Sequence, residues 1–246
     1  MVRINKYLAQ CNLGSRRSVE ILISNREISV NGEIIDDLSK QIDPTKDKVS
    51  YKGKTIHPSQ EKIYIMLNKP KKYLVSTKDD FGRRIIFDLL PDFETNLFYI
   101  GRLDYMSEGL LLLTNDGDFA ERVIHPRYKL PKVYKVKVKG KIGKEELEKL
   151  RKGIVINGKR TKPAIVYTNK VNDEFTELKM TIFEGRKRQI RYMIKSIGSA
   201  VYELKRLQIG TIKLNKLPVG MWRMLKPSEV TALRSNARTK SKKEIK

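Results

Sequence analysis

Residues 132–139 alternate between basic and apolar side chains, in the order Lys-Val-Tyr-Lys-Val-Lys-Val-Lys. Successive side chains of a β-strand point to opposite faces, so this pattern places Tyr134, Val136 and Val138 together on one face and lysines on the other. The same alternation returns over Leu178–Ile182. These runs predict that the larger part of the chain is rich in strands.

Further strands and a few helices surround these runs. Apolar residues alternate over Ile63–Leu67, and Leu110–Thr114 reads as a buried strand. Two strands flank Asn157-Gly158, a dipeptide typical of hairpins. Helices are predicted over Glu145–Lys152 and Ile190–Ile197. Strands joined by hairpins, with few helices between them, predict an α+β fold whose central, mostly antiparallel β-sheet is flanked by helices.

The beginning of the chain has a different pattern, of two short helices and a hairpin. Apolar side chains follow helical spacing over Ile4–Cys11. Ser15 is then the predicted N-cap of a second helix that turns Val19 and Ile23 inward. The dipeptide Asn31-Gly32 between short apolar runs predicts a tight hairpin.

A change in composition separates these two parts. The segment Thr55–Lys62 is polar and contains a proline, which predicts a linker. We therefore expect a small domain over residues 1–60, linker included, and a larger domain over residues 61–230. Residues 231–246 are basic and nearly devoid of apolar side chains, and this composition predicts a disordered basic tail.

The charge of the chain favours a polyanionic partner. It has 52 Lys and Arg against 28 Asp and Glu, a formal net charge of +24. A basic surface that serves only solubility is the alternative. No stretch approaches the roughly 20 apolar residues of a membrane span, and the start lacks the pattern of a signal peptide. We expect a cytoplasmic protein with no membrane partner.

The cysteine and histidine content limits which disulfides and metal sites the chain can form. The single cysteine, Cys11, excludes an intramolecular disulfide, and two histidines leave little for a Cys/His zinc site. The sequence has no GxxxxGK[ST] phosphate loop, no HExxH and no CxxC. A triad of Ser107, His125 and Asp104 lacks the strand–serine–helix turn that frames such a nucleophile. We expect neither a metal nor a cofactor.

Two segments carry candidate chemistry. In Gly101-Arg102-Leu103-Asp104, a carboxylate lies between a strand end and the leucine-rich strand, where a nearby guanidinium would suit it to nucleophilic attack. A structural Asp–Arg pair at a turn explains the same residues. The segment Gly185–Lys195 holds five Arg or Lys where a helix begins. An RNA phosphate or a carboxylate would offset that positive helix end, and a solvated helix face is the alternative.

These segments resemble a known family. GRLDYMSEGLLLLTNDG, residues 101–117, resembles the catalytic motif of the RsuA/RluB-type rRNA pseudouridine synthases. Four other segments resemble further motifs of that family in the same order: LNKPKKYLVSTKD (67–79), KVYKVKVKG (132–140), EGRKRQIRYM (184–193) and LPVGMWRMLKPSEV (217–230). Residues 3–32 resemble the S4 (αL) RNA-binding domain. Together the segments extend over nearly the whole chain.

The resemblance implies a role for individual residues. Asp104 matches the catalytic aspartate, and Arg102 matches an arginine that helps displace the target base. Tyr134 matches the tyrosine that stacks on the uracil. Arg191 matches the basic residue paired with the aspartate, and Ile190 the aliphatic residue of the pocket. Basic residues that we expect to bind RNA are Arg3, Lys6, Arg16, Arg17, Arg26, Arg186 and Arg188.

The implied reaction isomerises one uridine of ribosomal RNA to pseudouridine, and the LLLLTNDG and HPRY segments favour large-subunit rRNA. Asp104 would attack the anomeric carbon or remove the neighbouring sugar proton, after the nucleotide has been flipped out of its stack. The expected partner is rRNA or a ribosome-assembly intermediate, and the expected state is a monomer. The alternatives are the same reaction on small-subunit rRNA, a non-catalytic RNA-binding or assembly factor, and a basic structural protein of the ribosome.

Overall fold

The computed structural model describes residues 1–59 and 61–242. Two compact units share the chain, one made of residues 1–63 with 92–97 and the other of residues 64–91 with the chain from 98 onward. Within the described residues, no helix combines the length and the apolar character that crossing a membrane requires.

The first unit holds two short helices and several short strands. In chain order these are β1 (Val2–Arg3), α1 (Ile4–Gln10), α2 (Ser18–Ser24), β2 (Ile28–Val30), β3 (Glu33–Ile34), β4 (Gln41–Ile42), β5 (Val49–Tyr51) and β6 (Lys54–Thr55). Strands β3, β2, β5 and β6 form an antiparallel sheet in that order, and β1 pairs with β4.

The predicted helical faces form the core of this unit. Ile4 and Leu8 of α1 pack with Val19 and Ile23 of α2, and all four are fully buried. The Ser15 hydroxyl accepts a hydrogen bond from the backbone N–H of Ser18 at 3.1 Å, which is the bond expected of an N-cap, although regular helix begins only at Ser18.

Residues 92–97 lie in the first unit, whereas the sequence places them in the larger domain. The reason is a polar clasp around Asn12. Its side chain donates to the Glu94 carbonyl at 3.3 Å and accepts from the Thr95 hydroxyl at 2.9 Å. The Asn96 side chain in turn donates to the Asn12 carbonyl at 2.7 Å. Such side-chain bonds over a long sequence separation leave no mark on local periodicity.

The second unit is built on one large sheet. Its strands are β7 (Tyr64–Lys69), β8 (Phe98–Ile100), β9 (Glu108–Thr114), β10 (Lys132–Lys139), β11 (Val155–Ile156), β12 (Lys159–Arg160), β13 (Ile165–Val171), β14 (Phe175–Ile182), β15 (Val201–Ile209), β16 (Ile212–Lys213) and β17 (Trp222–Met224). Its helices are α3 (Gly117–Ile124), α4 (Lys144–Lys152), α5 (Gln189–Lys195) and α6 (Pro227–Lys242), with 3₁₀ turns at Ile86–Leu89 and Pro126–Tyr128.

The sheet order is β13-β14-β10-β15-β9-β7-β17, with β8 paired to β9 and β16 paired to β15. Only the β9–β15 pair is parallel among these described strands. The predicted α+β class with a mostly antiparallel sheet is therefore confirmed. Strand β10 pairs with β14 on one side and β15 on the other, so it lies inside the sheet and neither of its edges is open.

The end of the described chain is a helix. The sequence predicts a disordered tail over residues 231–246, but α6 extends to Lys242, so that prediction is wrong for 231–242, and residues 243–246 lie outside the described residues. The helix forms here because Val230 and Leu233 are both buried in the core of the second unit.

An ion pair anchors α6 to the start of α3. Arg234 donates to a carboxylate oxygen of Asp116 at 2.6 Å, and the Tyr64 hydroxyl donates to the same oxygen at 2.7 Å. The other oxygen caps α3 by accepting the N–H groups of Asp118 and Phe119 at 3.0 Å. Burial opposes the charge, yet these bonds hold the pKa of Asp116 below its usual value.

The parallel β9–β15 contact depends on a glycine. Gly109 pairs with Arg206 in this register and adopts φ +109°, a conformation that residues with a Cβ rarely occupy. A Cβ at this position would lie 2.3 Å from the Arg206 carbonyl oxygen, so the two strands would have to move apart.

We expect Gly109→Ala to lower the free energy of unfolding by about 2 kcal/mol or more, because both backbone strain and the clash fall on a central strand pair. Gly117→Ala is the matched control. Gly117 begins α3, has no unusual φ and has no neighbouring atom within 4 Å of its would-be Cβ. Urea unfolding of both variants checks this, and equal midpoints for the two would contradict it.

Candidate active site

A cavity of about 270 Å³ opens in the second unit. Its wall is formed by the loop that follows β8, by strands β10 and β15, and by the segment that begins α5. The lining residues that bear on its chemistry are Arg102, Asp104, Lys132, Tyr134, Ile190 and Arg206. The sheet thus brings together residues that are a hundred positions apart in the chain.

Asp104 is half-buried and lies in a tight turn before β9. The N–H of Ser107 donates to the Asp104 carbonyl at 2.9 Å, which closes the turn. The ammonium group of Lys69, at the end of β7, donates to the carbonyls of Ser107, Tyr105 and Pro70 at 3.0, 3.4 and 2.7 Å. Lys69 is fully buried, and these bonds fix the turn that carries the carboxylate.

Arg191 on α5 holds the carboxylate from the other side. Its Nε lies 3.4 Å from Oδ2 of Asp104, and its Nη2 donates to the Ser107 hydroxyl at 3.4 Å. The preceding residue, Ile190, is buried and lines the cavity. An opposite charge at this distance orients the carboxylate toward one geometry.

The floor of the cavity carries an aromatic ring and two cations. Tyr134 on β10 is 7% exposed and is the cross-strand partner of Arg206 on β15. Arg206 donates from Nε to the Leu110 carbonyl at 2.7 Å. Lys132 precedes Tyr134 by two residues, and burial together with the Arg206 charge lowers its pKa to about 8.

The remaining cavity residues predicted from the sequence lie at the rim. Arg102 and Arg188 are exposed there. Arg186 also lines the cavity, but its guanidinium donates to the carbonyls of Lys159 and Arg160 at 3.0 and 2.7 Å. Part of its hydrogen-bonding capacity is therefore used within the protein.

The basic residues predicted in the first unit are on its surface. Arg3, Arg17 and Arg26 are exposed, and Lys6 is half-buried. Arg16 is exposed and donates to the Asn5 side chain at 3.4 Å. They come from the end of β1, from α1, from the turn before α2 and from the turn after α2.

Three residues of the site had no predicted role: Lys69, Lys132 and Arg206. Lys69 and Lys132 lie within segments that the sequence singled out, yet no spacing distinguishes them from the many surface lysines of the chain. Arg206 lies in a strand that no local pattern predicts. A basic residue between buried strand positions is the one signal that marks it.

The arrangement suits a flat, polar ligand. A carboxylate held by a guanidinium can act as a nucleophile or a base, an aromatic ring offers a stacking surface, and the cations donate hydrogen bonds to acceptors. The cavity volume of about 270 Å³ lies just below the range of about 300–1,000 Å³ typical of drug-sized ligands. A flat ring such as a single nucleobase fits within this volume.

The chain matches two family models. RNA pseudouridylate synthase matches residues 63–196, and the S4 domain matches residues 2–49. An uncharacterised RNA pseudouridine synthase of Aquifex aeolicus is 42% identical over 94% of this chain and 93% of its own length. The ribosomal large subunit pseudouridine synthase B of Bacillus subtilis is 37% identical over 96% of this chain and 97% of its own length.

A solved structure agrees in fold. A crystal structure of a pseudouridylate synthase superposes with a TM-score of 0.67 and 29% identity, covering 95% of this chain and 100% of that one. The family that the sequence resembles and the predicted enzyme class are thus confirmed. The chain belongs to the RNA pseudouridylate synthase family, whose reaction is an isomerisation within RNA, and it carries an S4 domain at residues 2–49.

Proposed function

We propose that this protein isomerises one uridine of large-subunit ribosomal RNA to pseudouridine and that Asp104 is its catalytic residue. The observation that carries the assignment is the oriented carboxylate, with Arg191 at 3.4 Å, in the same cavity as the buried ring of Tyr134. Family membership supplies the reaction. Of the two carboxylates that line the cavity among the described residues, Asp104 lies beside Arg191, whereas Glu184 is bound to Gln189, Arg186 and the N–H of Lys162.

Asp104 acts on the sugar. Either it attacks the anomeric carbon, or it removes the proton of the neighbouring sugar carbon to give a glycal. In both routes the bond between the anomeric carbon and N1 breaks, the uracil turns, and C5 bonds to the sugar. C5 then loses a proton and N1 gains one, so product and substrate are isomers. Lys69 and Arg191 keep the carboxylate in place during these steps.

The target nucleotide must leave its helical stack to reach the cavity, at a cost of a few kcal/mol. Stacking on Tyr134 returns about 1–3 kcal/mol. Contacts between basic side chains and RNA phosphates supply the rest. Arg102, which lines the cavity, occupies the gap that the flipped base leaves. Ile190 packs against the base.

The RNA class comes from the relatives. The Bacillus subtilis protein is named for the ribosomal large subunit, and the match extends over 97% of its length. We extend that substrate to this chain and propose that it acts as a monomer in the cytoplasm, on rRNA or an assembling large subunit. The first unit, through Arg3, Lys6, Arg16, Arg17 and Arg26, grips the RNA backbone.

We expect Asp104→Asn to abolish isomerisation, with a loss of at least roughly a thousandfold in the single-turnover rate, because no other group replaces the carboxylate. RNA affinity should stay within a few-fold, since phosphate contacts dominate binding. Pseudouridine mapping in cells that lack the protein should show one site restored in large-subunit rRNA by the wild type and not by the variant. Asp80→Asn, at an exposed loop position, is the control with the same charge change.

If Asp104→Asn restores the pseudouridine in these cells, Asp104 is not the catalytic residue. A restored site in small-subunit rRNA would leave the enzyme class standing and replace the proposed substrate.

Tyr134→Phe should retain most of the activity and Tyr134→Ala should lose it, because stacking needs the ring and not the hydroxyl. The expected loss for Ala is about tenfold to a hundredfold in the single-turnover rate. Thermal unfolding must show that both variants are folded, since Tyr134 is buried. If Phe is as damaging as Ala in a folded protein, the hydroxyl carries the function and the stacking role is wrong.

Replacing Arg3, Arg16, Arg17 and Arg26 by Gln should weaken rRNA binding and reduce the salt slope by about 0.7–0.9 for each phosphate that is no longer neutralised. The single-turnover rate at saturating RNA should not change. Point substitutions are preferable to deleting residues 1–60, because residues 92–97 belong to the first unit and would be left without their partners.

The matched control removes the same charge from the same unit through four exposed lysines: Lys40, Lys46, Lys48 and Lys54. Equal effects of the two sets on affinity and salt slope would show that the unit contributes general charge and not a specific grip.

A further inference from the structure

Arg206 is a buried cation whose partners are incomplete. The residue is 4% exposed, and its Nε donates to the Leu110 carbonyl at 2.7 Å. Its Nη2 is buried and has no hydrogen-bond partner among the residues that the structure describes. A guanidinium can only donate hydrogen bonds, and a buried donor without an acceptor is costly. Arg206 also lines the cavity, so a bound ligand can supply what the chain does not.

A second buried cation lies beside it. Lys132 donates to the Leu130 carbonyl at 3.2 Å, and its lowered pKa of about 8 reflects first its burial and then the Arg206 charge. In the described part of the chain, neither cation forms an ion pair with a carboxylate. Burying two like charges without a counter-charge opposes folding. This wall of the cavity therefore favours a ligand that carries negative charge.

The sheet register indicates which part of the ligand lies next to Arg206. Tyr134 and Arg206 are direct partners across the β10–β15 pair, so their side chains leave the same face of the sheet about 5 Å apart at Cβ. A base stacked on the Tyr134 ring therefore presents one of its edges to the guanidinium. The exposed residues Arg102 and Arg188 at the rim are left for phosphates.

We propose that Arg206 is a further substrate-binding residue, which donates a hydrogen bond to a carbonyl oxygen of the target uracil and holds the base while it turns. This inference rests on the proposed function. When the bond between the sugar and N1 breaks, its electron pair stays on the uracil, and the negative charge spreads over N1 and both carbonyl oxygens. A fixed guanidinium stabilises that charge as it develops. Both routes open to Asp104 produce the same anion.

The symmetry of uracil makes one fixed donor sufficient. A half-turn about the line through N3 and C6 exchanges N1 with C5, which is the change that the reaction requires. The same half-turn exchanges the two carbonyl oxygens. Arg206 therefore meets an acceptor before and after the turn without moving. Cytosine has an amino group in place of one carbonyl, so it would set donor against donor either before or after the turn, and the contact therefore also selects uracil.

The test combines changes in the enzyme with changes in the RNA. Fragments of rRNA carry uridine, 2-thiouridine or 4-thiouridine at the target, since sulfur accepts hydrogen bonds poorly. Wild type, Arg206→Met and Arg206→Lys are compared in single turnovers. We expect at least one thio substitution to slow the wild type by about tenfold or more, and to have a much smaller further effect in Arg206→Met.

Arg151→Met is the matched control. Arg151 also donates from its guanidinium to a carbonyl of a neighbouring strand, that of Val166 at 2.8 Å, but it does not line the cavity. The thio effect should be as large in this variant as in the wild type. If Arg206→Met does not fold, Arg206→Leu takes its place in the comparison, because Lys would keep a hydrogen-bond donor, and the wild type alone must still show the thio effect.

Three results separate the possibilities. Equal thio effects in the wild type and in Arg206→Met, or no thio effect in the wild type, overturn the proposal. Coupling of Arg206 instead to a methylphosphonate placed at the 5′ phosphate of the target overturns it in favour of a phosphate contact. A wild type that converts no uridine at all refutes the proposed function itself and not the contact in particular.

Discussion

The buried ammonium group of Lys69 is the interaction on which the site depends. It bonds to three backbone carbonyls, two of them in the turn that carries Asp104. Burial lowers the pKa of Lys69 to about 8, although the charges of Asp104 and Glu108 oppose the fall. The positive charge of Lys69 is therefore stabilised by backbone carbonyl dipoles and by Asp104, the carboxylate whose turn it holds in position. An apolar residue of equal size would fill the space and leave the turn without a fixed position.

The parallel contact between β9 and β15 sets the rest of the site. It places Gly109 against Arg206, and the next pairing across the sheet places Arg206 against Tyr134. One row of residues thus links the turn of Asp104 to the aromatic ring through backbone hydrogen bonds. Side chains on such a row have little freedom to shift relative to one another. The β9–β15 pair consequently fixes both the position of Asp104, which acts on the sugar, and the position of Tyr134, which stacks on the base.

Much of the fold and of the site could be predicted from the sequence. The parts that could not be predicted have physical causes. The strands over 132–139 and 178–182, the α4 helix and the motif around Asp104 carry local patterns, and the structure has them. Helix α3 is not predicted, because the sequence Asn115-Asp116-Gly117 is typical of a turn, whereas Asp116 in fact caps the helix that follows it. The anchoring of α6 depends on Asp116 and Arg234, which are far apart in the chain. Arg206 gains its meaning only from its neighbour on another strand.

The position of β15 has a consequence for how the protein is made. Strands β7, β8 and β9 come from residues 64–114, and β10, β13 and β14 from residues 132–182, so each group can pair as the ribosome releases it. The strand that joins the two groups, β15, is the stretch 201–209. Until it emerges, β9 and β10 have open edges, which favour wrong pairing and aggregation. Strand β15 also carries Arg206 and part of the cavity wall, so the cavity is complete only after residue 209 has been made.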